Sequence, residues 1–323
     1  MSAEKDIKEK FREFLNVYWI RPEHSFLSTY DYAVLRDIFP LPKPNIDLAC
    51  GDGLTSFIWA GGKFDFSFDM YHSVKDTDVM YSDDVDVYDC FEKDFCKPAI
   101  IKQPDWNYTY GLDLKKSMLE KAKKLNFYEN TINQSFDDPI PLEKKFNSAF
   151  STSLFAFTSD ADVLSNRIKN VNKILNLNGK LVMRLHERTF KQMLFHNYYK
   201  QYGFKWAKKL DKFIYDHNPD EKFDLAWWVE VLKNNGFEIN NIHNVVPRLV
   251  AYAYLIGFRP MFRTFMSMYN MLSLEQRTEL KKQWIPDLVE LFEELMFEET
   301  VTKIDPDSKN VLYLIEATKI KEI

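Results

Sequence analysis

The stretch from Asn45 to Thr55, N-I-D-L-A-C-G-D-G-L-T, constrains this chain more than any other. Asn45-Ile46-Asp47-Leu48 has the length and apolar character of a buried strand, and Phe57-Ile58-Trp59-Ala60 reads as part of a helix. Between them Gly51 and Gly53 lack Cβ, so the backbone can turn sharply and a ligand can lie against bare main-chain N–H groups. The helix that follows is expected to aim its N-terminal donors at the same ligand. Asp47, at the strand end, is placed to order the loop or to accept from a cationic ligand.

Two kinds of glycine turn share this outline. The dinucleotide fingerprint G-x-G-x-x-G needs a third glycine for helix packing. Here Ser56 stands in that place, and Asp52 puts a carboxylate inside the turn where a pyrophosphate would be repelled. An uncharged or cationic ligand fits better.

D-L-A-C-G-D-G, from Asp47 to Gly53, resembles motif I of the class I S-adenosylmethionine-dependent methyltransferases, with Ala49 in place of the first glycine. Tyr110-Gly111-Leu112-Asp113-Leu114, followed by Met118-Leu119-Glu120-Lys121-Ala122, is similar to that family's second strand, terminal acid and helix. Val171 to Met183 resembles its later helix, glycine turn and fifth strand. The three matches fall in order over residues 44 to 185, the size of one α/β domain. The resemblance implies a doubly wound, mostly parallel seven-stranded sheet and S-adenosylmethionine as cofactor. It further implies a cofactor site of Asp47, Ala49, Cys50, Gly51, Asp52 and Gly53 in the turn, with Asp113 receiving the ribose hydroxyls and Leu114 beside it. Gln134 and Ser135 end the third strand, Asn130 to Ser135, where relatives often carry an adenine-binding acid. Ser151 belongs to the fourth strand, Phe146 to Ser153, whose end faces the methyl group. A rival alignment makes Phe64 to Phe68 the second strand and Asp69 the ribose acid; the helix after Asp113 favours the first.

Composition narrows the partners. A net charge of -5 among 323 residues argues against a duplex nucleic-acid binder. Cys50, Cys90 and Cys96 have neither zinc spacing nor the even count of a disulfide framework, which points to a cytoplasmic setting. The longest apolar run, Leu249 to Phe258, is far short of the roughly 20 residues of a membrane span.

Along the chain, residues 1–40 read as an N-terminal helical cap, with Ile7, Phe11, Phe14, Leu15 and Tyr18 at helical spacing. The cluster from Tyr18 to His24 is either a flap carrying Arg21 or Glu23 toward a substrate or a capping turn with Trp19 buried. Residues 63–107 form an insertion rich in aspartate and aromatics, including Asp76, Asp78, Asp83, Asp84, Asp86 and Asp89. It lacks the central glycine and bidentate glutamate of a calcium loop, so no metal is expected. The domain runs over 41–247 and 301–323, its fifth strand from Lys180 to Leu185 ending at His186. Residues 248–300 form a helical insertion between the last two strands. That insertion offers a dimer face, or a membrane-surface face through Arg248, Arg259 and Arg263.

The expected chemistry is in-line methyl transfer to a small-molecule or glycan-precursor acceptor, at oxygen, with proximity supplying much of the rate. His186 is the best-placed base, at the carboxyl end of a strand; Asp160 is a second candidate with helix capping as its competing role. His24 and His243 have less support. The alternatives are a non-catalytic binding protein on the same fold and a nicotinamide-dependent oxidoreductase.

Overall fold

A computed structural model describes residues 3–71, 99–140, 144–154, 160–186, 224–247, 250, 261–293, 296 and 310–323. The chain opens with α1 (Ala3–Tyr18) and α2 (Pro22–Leu35), joined by a turn in which Tyr18 O accepts from Arg21 N. The apolar stripe of α1 is buried as its spacing predicts, with Phe11, Phe14 and Leu15 fully enclosed. Pro22 sits in the first turn of α2, where its missing N–H costs no helical bond. Trp19 is buried and Arg21 pairs with the buried Glu23 at 3.0 Å, the arrangement of a capping turn rather than an open flap.

The main sheet has seven strands among the described residues: β1 (Asn45–Leu48), β4 (Tyr108–Asp113), β5 (Tyr128–Asn133), β6 (Phe146–Ser151), β7 (Leu175–His186), β8 (Phe237–Pro247) and β9 (Asn310–Lys319). Their spatial order is β5-β4-β1-β6-β7-β9-β8. The first five pair in parallel, while β9 runs antiparallel between β7 and β8. A separate ribbon of β2 (Lys63–Phe64) and β3 (Ile100–Lys102) stands at the two ends of the insertion. The strand beside β1 is therefore Tyr108–Asp113, and Phe64 is off the main sheet, which removes the rival alignment. The aspartates from Asp76 to Asp89 lie outside the described residues, as do Cys90, Cys96 and Leu249 to Phe258.

Helices cover both faces, each burying an apolar stripe against the strands. On one side α1, α2, α3 (Leu54–Trp59) and α8 (Leu274–Glu293) pack on Phe150, Val182, Val246, Leu312 and Leu314. On the other, α5 (Ala161–Ile174) and α6 (Leu225–Asn234) pack on Ile46, Ala149, Leu181, Met183 and Ile315. The remaining helices among the described residues are α4 (Lys116–Lys124) and α7 (Phe262–Asn270).

Three strand boundaries differ from expectation, the fourth strand ending at Ser151 rather than Ser153. The third strand lies two residues earlier, at Tyr128–Asn133, because the side chains of Gln134 and Ser135 close a turn. The fifth begins at Leu175 and carries an irregularity: Phe146 pairs with Leu175 but Ser148 with Lys180. Asn178, at φ 64°, makes the bend that the sequence suggested at Gly179.

Candidate cofactor site

The turn from β1 to α3 alternates its backbone handedness. Ala49, Gly51 and Gly53 have φ of 57°, 60° and 76°. Gly51 and Gly53 take that region freely; Ala49 does so at a steric cost of roughly 1–2 kcal/mol. A Cβ at Gly51 would meet Met118 Cε at 3.5 Å and nothing nearer, so the outer face of the turn is open.

Asp113, the last residue of β4, reaches across to this turn. Its Oδ2 accepts from Gly51 N–H at 2.9 Å and its Oδ1 from Lys115 N–H at 2.8 Å. The side chain is half-buried. A carboxylate has about four lone-pair positions, so two remain for ligand hydroxyls. Leu114 next to it is 68% exposed, an apolar surface at the mouth of the site. Gln134 N–H donates to Asp113 O at 3.2 Å, which brings the end of β5 alongside, but its side-chain amide is spent on Pro139 O.

Asp47 orders the loop from beneath. It is 3% exposed and accepts from Ser56 Oγ at 2.9 Å and Tyr128 OH at 2.8 Å. Burial raises its pKa to about 7 against the opposing pull of these two donors. Ser56, in the place of the missing third glycine, thus holds the strand to the helix by a hydrogen bond. Tyr128 is packed so closely that a Cβ at Gly53 or Gly111 would approach its ring to 2.7 or 2.8 Å. Neither Ser56 nor Tyr128 stood out in the sequence as a partner of Asp47: Tyr128 is 81 residues away, and Ser56 was read only as the place of a missing glycine.

Asp52 corrects the expectation for the helix. Its Oδ1 accepts from Leu54 N–H at 3.1 Å, and the side chain is buried. Gly53 is the N-cap of α3, a helix of only 6 residues, and Asp52 just before it occupies the Leu54 N–H. Cys50, half-buried, has its thiol pushed up by burial and then by Asp47, Asp113 and Asp52.

The other candidates separate. Ser151 Oγ donates to Leu48 O at 2.8 Å and accepts from Leu154 N–H at 3.0 Å, tying β6 to β1 at their carboxyl ends. Asp160 caps α5, accepting from Asp162 and Val163 N–H at 2.9 and 3.1 Å. His186 ends β7, opposite Leu312; its side chain lies outside the described residues. His243 sits on Glu316 at 2.7 Å, in the β8–β9 pair. His24 is nearer the turn than its sequence position suggested: its ring is 4.5 Å from that of Tyr18, whose hydroxyl shares a hydrogen bond with Thr55 Oγ1 at 3.1 Å.

Five parallel strands in the order 3-2-1-4-5, an antiparallel pair completing the sheet with the last strand inside, and an acid from the second strand on a glycine turn after the first decide the architecture. The chain has the class I methyltransferase fold. No protein-family model matches it, and no curated protein matches it in sequence. Among solved structures, an S-adenosylmethionine-dependent methyltransferase from Mesorhizobium loti is 12% identical over 90% of this chain and 97% of its own, with a TM-score of 0.42. Magnesium protoporphyrin IX methyltransferase from Synechocystis, with bound SAH, is 14% identical over 70% of this chain and 78% of its own, with a TM-score of 0.40. The methyltransferase-fold site here combines an open glycine turn, a carboxylate with spare acceptor positions and an exposed leucine. Those residues fit a cofactor with a ribose, a flat base and a positive charge. Among the described residues no three His, Cys, Asp or Glu side chains are grouped to hold a metal, and no helix is long and apolar enough to cross a membrane.

Proposed function

We propose that this chain is an S-adenosylmethionine-dependent methyltransferase acting in the cytoplasm on a small-molecule or glycan-precursor acceptor, at oxygen. The observation that carries the reading is Asp113, whose carboxylate is drawn onto the glycine turn by Gly51 and Lys115 N–H while keeping acceptor capacity for two hydroxyls. Asp113 would hold the ribose, Leu114 would lie against the base, and Gly51 would admit the ligand to the backbone. Asp113, the half-buried carboxylate beside the open turn, favours a sulfonium over a phosphate.

The cofactor, when bound, supplies an electrophilic methyl group. The chain's own residues have to bring an acceptor within near-attack distance and keep water out. Tyr18 and His24, beside Thr55 at the start of α3, are placed to form part of that enclosure. His186, at the carboxyl end of β7, is the proposed base for a hydroxyl acceptor, since histidine titrates near neutrality. Asp160 is engaged as a helix cap and is the weaker candidate.

Calorimetric titration with S-adenosylmethionine, S-adenosylhomocysteine and NAD tests the reading. Binding of the two sulfur compounds and its loss in Asp113→Ala are expected. Binding of NAD alone would overturn it.

A further inference from the structure

A groove separate from the glycine turn lies between α1 and α8. One face of α1, Glu9 to Asn16, forms one wall, and one face of α8, Ile285 to Glu293, forms the other. At 1.5 Å per residue these walls run about 10–12 Å, or two helical turns. The floor is apolar, built from Ile58, Phe64, Phe66 and Ile101. Phe66 and Ile101 remain 37% and 64% exposed, so the floor is open among the described residues. The cavity measures about 1230 Å³, more than the roughly 300–1,000 Å³ of a small-molecule site. An apolar floor between two helical walls is the kind of groove that takes an amphipathic helix.

Charge selects the occupant. The carboxylates Glu9, Glu13, Asp65, Glu290 and Glu293 line the groove against the cations Arg12 and Lys63. Lys63 bridges Glu9 and Glu13 at 2.6 and 2.7 Å, Arg12 and Lys8 reach Glu293 at 2.7 and 3.8 Å, and Lys10 sits beneath on Glu13 and the Ile58 carbonyl, which leaves Glu290 and Asp65 as the carboxylates of the groove with no cation within 4 Å among the described residues. Exposed pairs such as Arg12–Glu293 contribute little and exchange readily for an incoming cation. Glu290 is exposed. A second copy of a chain with net charge -5, or an anionic membrane, would meet repulsion at these rims.

We propose that this groove binds an amphipathic helix of two to three turns from a partner protein, with apolar anchors on the floor and lysine or arginine against the acidic rims. The test is fluorescence anisotropy of a labelled helical peptide of Lys, Leu and Ala, of about 12 residues, titrated with the intact protein. Saturable one-to-one binding is expected, weakened about tenfold or more by Glu290→Lys and by Ile101→Asp. Both positions are exposed, so the thermal midpoint should not move. No binding, equal binding by the variants, or equal binding of a peptide with Glu in place of Lys would each overturn the proposal. So would displacement of the peptide by spermidine at equal charge concentration, which would mark a site for bare cations. A dimer in sedimentation that Ile101→Asp dissolves would assign the groove to a second copy instead.

Discussion

Gly53→Ala probes how tightly the turn is built. The residue sits at φ 76°, where a side chain costs roughly 1–2 kcal/mol. Its new Cβ would lie 2.7 Å from Tyr128 Cε2, 3.2 Å from Tyr128 OH and 3.3 Å from Leu125 Cδ1. The ring cannot retreat easily. Gly111 packs on its other edge, Tyr108 stacks on it at 5.8 Å, and its hydroxyl is committed to buried Asp47. Overpacking of this kind costs roughly 1–3 kcal/mol, and giving up the hydrogen bond to Asp47 instead would cost about 1.5–3 kcal/mol. The sum is about 2–5 kcal/mol of stability, together with weaker cofactor binding as the turn shifts. Urea unfolding of Gly53→Ala, Tyr128→Phe and the double variant measures it. Tyr128→Phe frees the ring to slide, so the second substitution should cost at least about 1 kcal/mol less in that background. A Gly53→Ala protein within about 1 kcal/mol of the parent, or strict additivity in the cycle, would refute the reasoning.

Three further outcomes follow from the same geometry. Asp47 has a folded pKa of about 7, raised above its unfolded value, so its contribution is full at low pH and is lost as pH rises through 7. Stability should fall by up to about 1.4 kcal/mol per pH unit between roughly pH 4 and 7, and Asp47→Asn should flatten that slope in urea titrations; Lys281, held down to about 7 by burial, acts above this window. Arg184→Met should cost about 3–5 kcal/mol, since it strands the fully buried Asp31 of α2 that Arg184 Nη1 contacts; calorimetric unfolding reads the loss. Ala49→Gly should be neutral or stabilising by up to about 1 kcal/mol, because relief of the left-handed strain outweighs or balances the added freedom of the unfolded chain; a loss of more than about 1 kcal/mol in Tm-derived stability would count against strain at φ 57°.

The sheet and the glycine turn were legible because their signals are local. Asp47 to Gly53, Tyr110 to Asp113 and the helix from Asp160 each carry strand, turn or cap within a dozen residues, and Asp160 does cap α5. Asp113 could be preferred to Asp69 on the strength of the helix behind it, and β4 is the strand beside β1. What was not legible depends on pairs distant in sequence. Tyr128 beneath Asp47, Arg184 against Asp31 and Tyr18 on Thr55 are brought together only by strand order and helix packing. Asp52 was read as a deterrent to phosphate; its bond from Leu54 N–H at the start of α3 was not legible in the sequence. Within the expected helical cap, α2 had no stripe of its own to mark it: buried Ser25, Ser28, Thr29 and Asp31 interrupt the apolar positions.

The place of β9 in the sheet sets an order on synthesis. It enters between β7 and β8, which are made earlier, and it is the only described strand that pairs with β8. Until residues 310–319 leave the ribosome, β7 and β8 each show an unpaired edge, and α6 has half a sheet to cover. Emerging strands with open edges are prone to pair with the wrong neighbour. A nascent chain of this protein therefore exposes the edges of both β7 and β8 until residues 310–319 arrive between them.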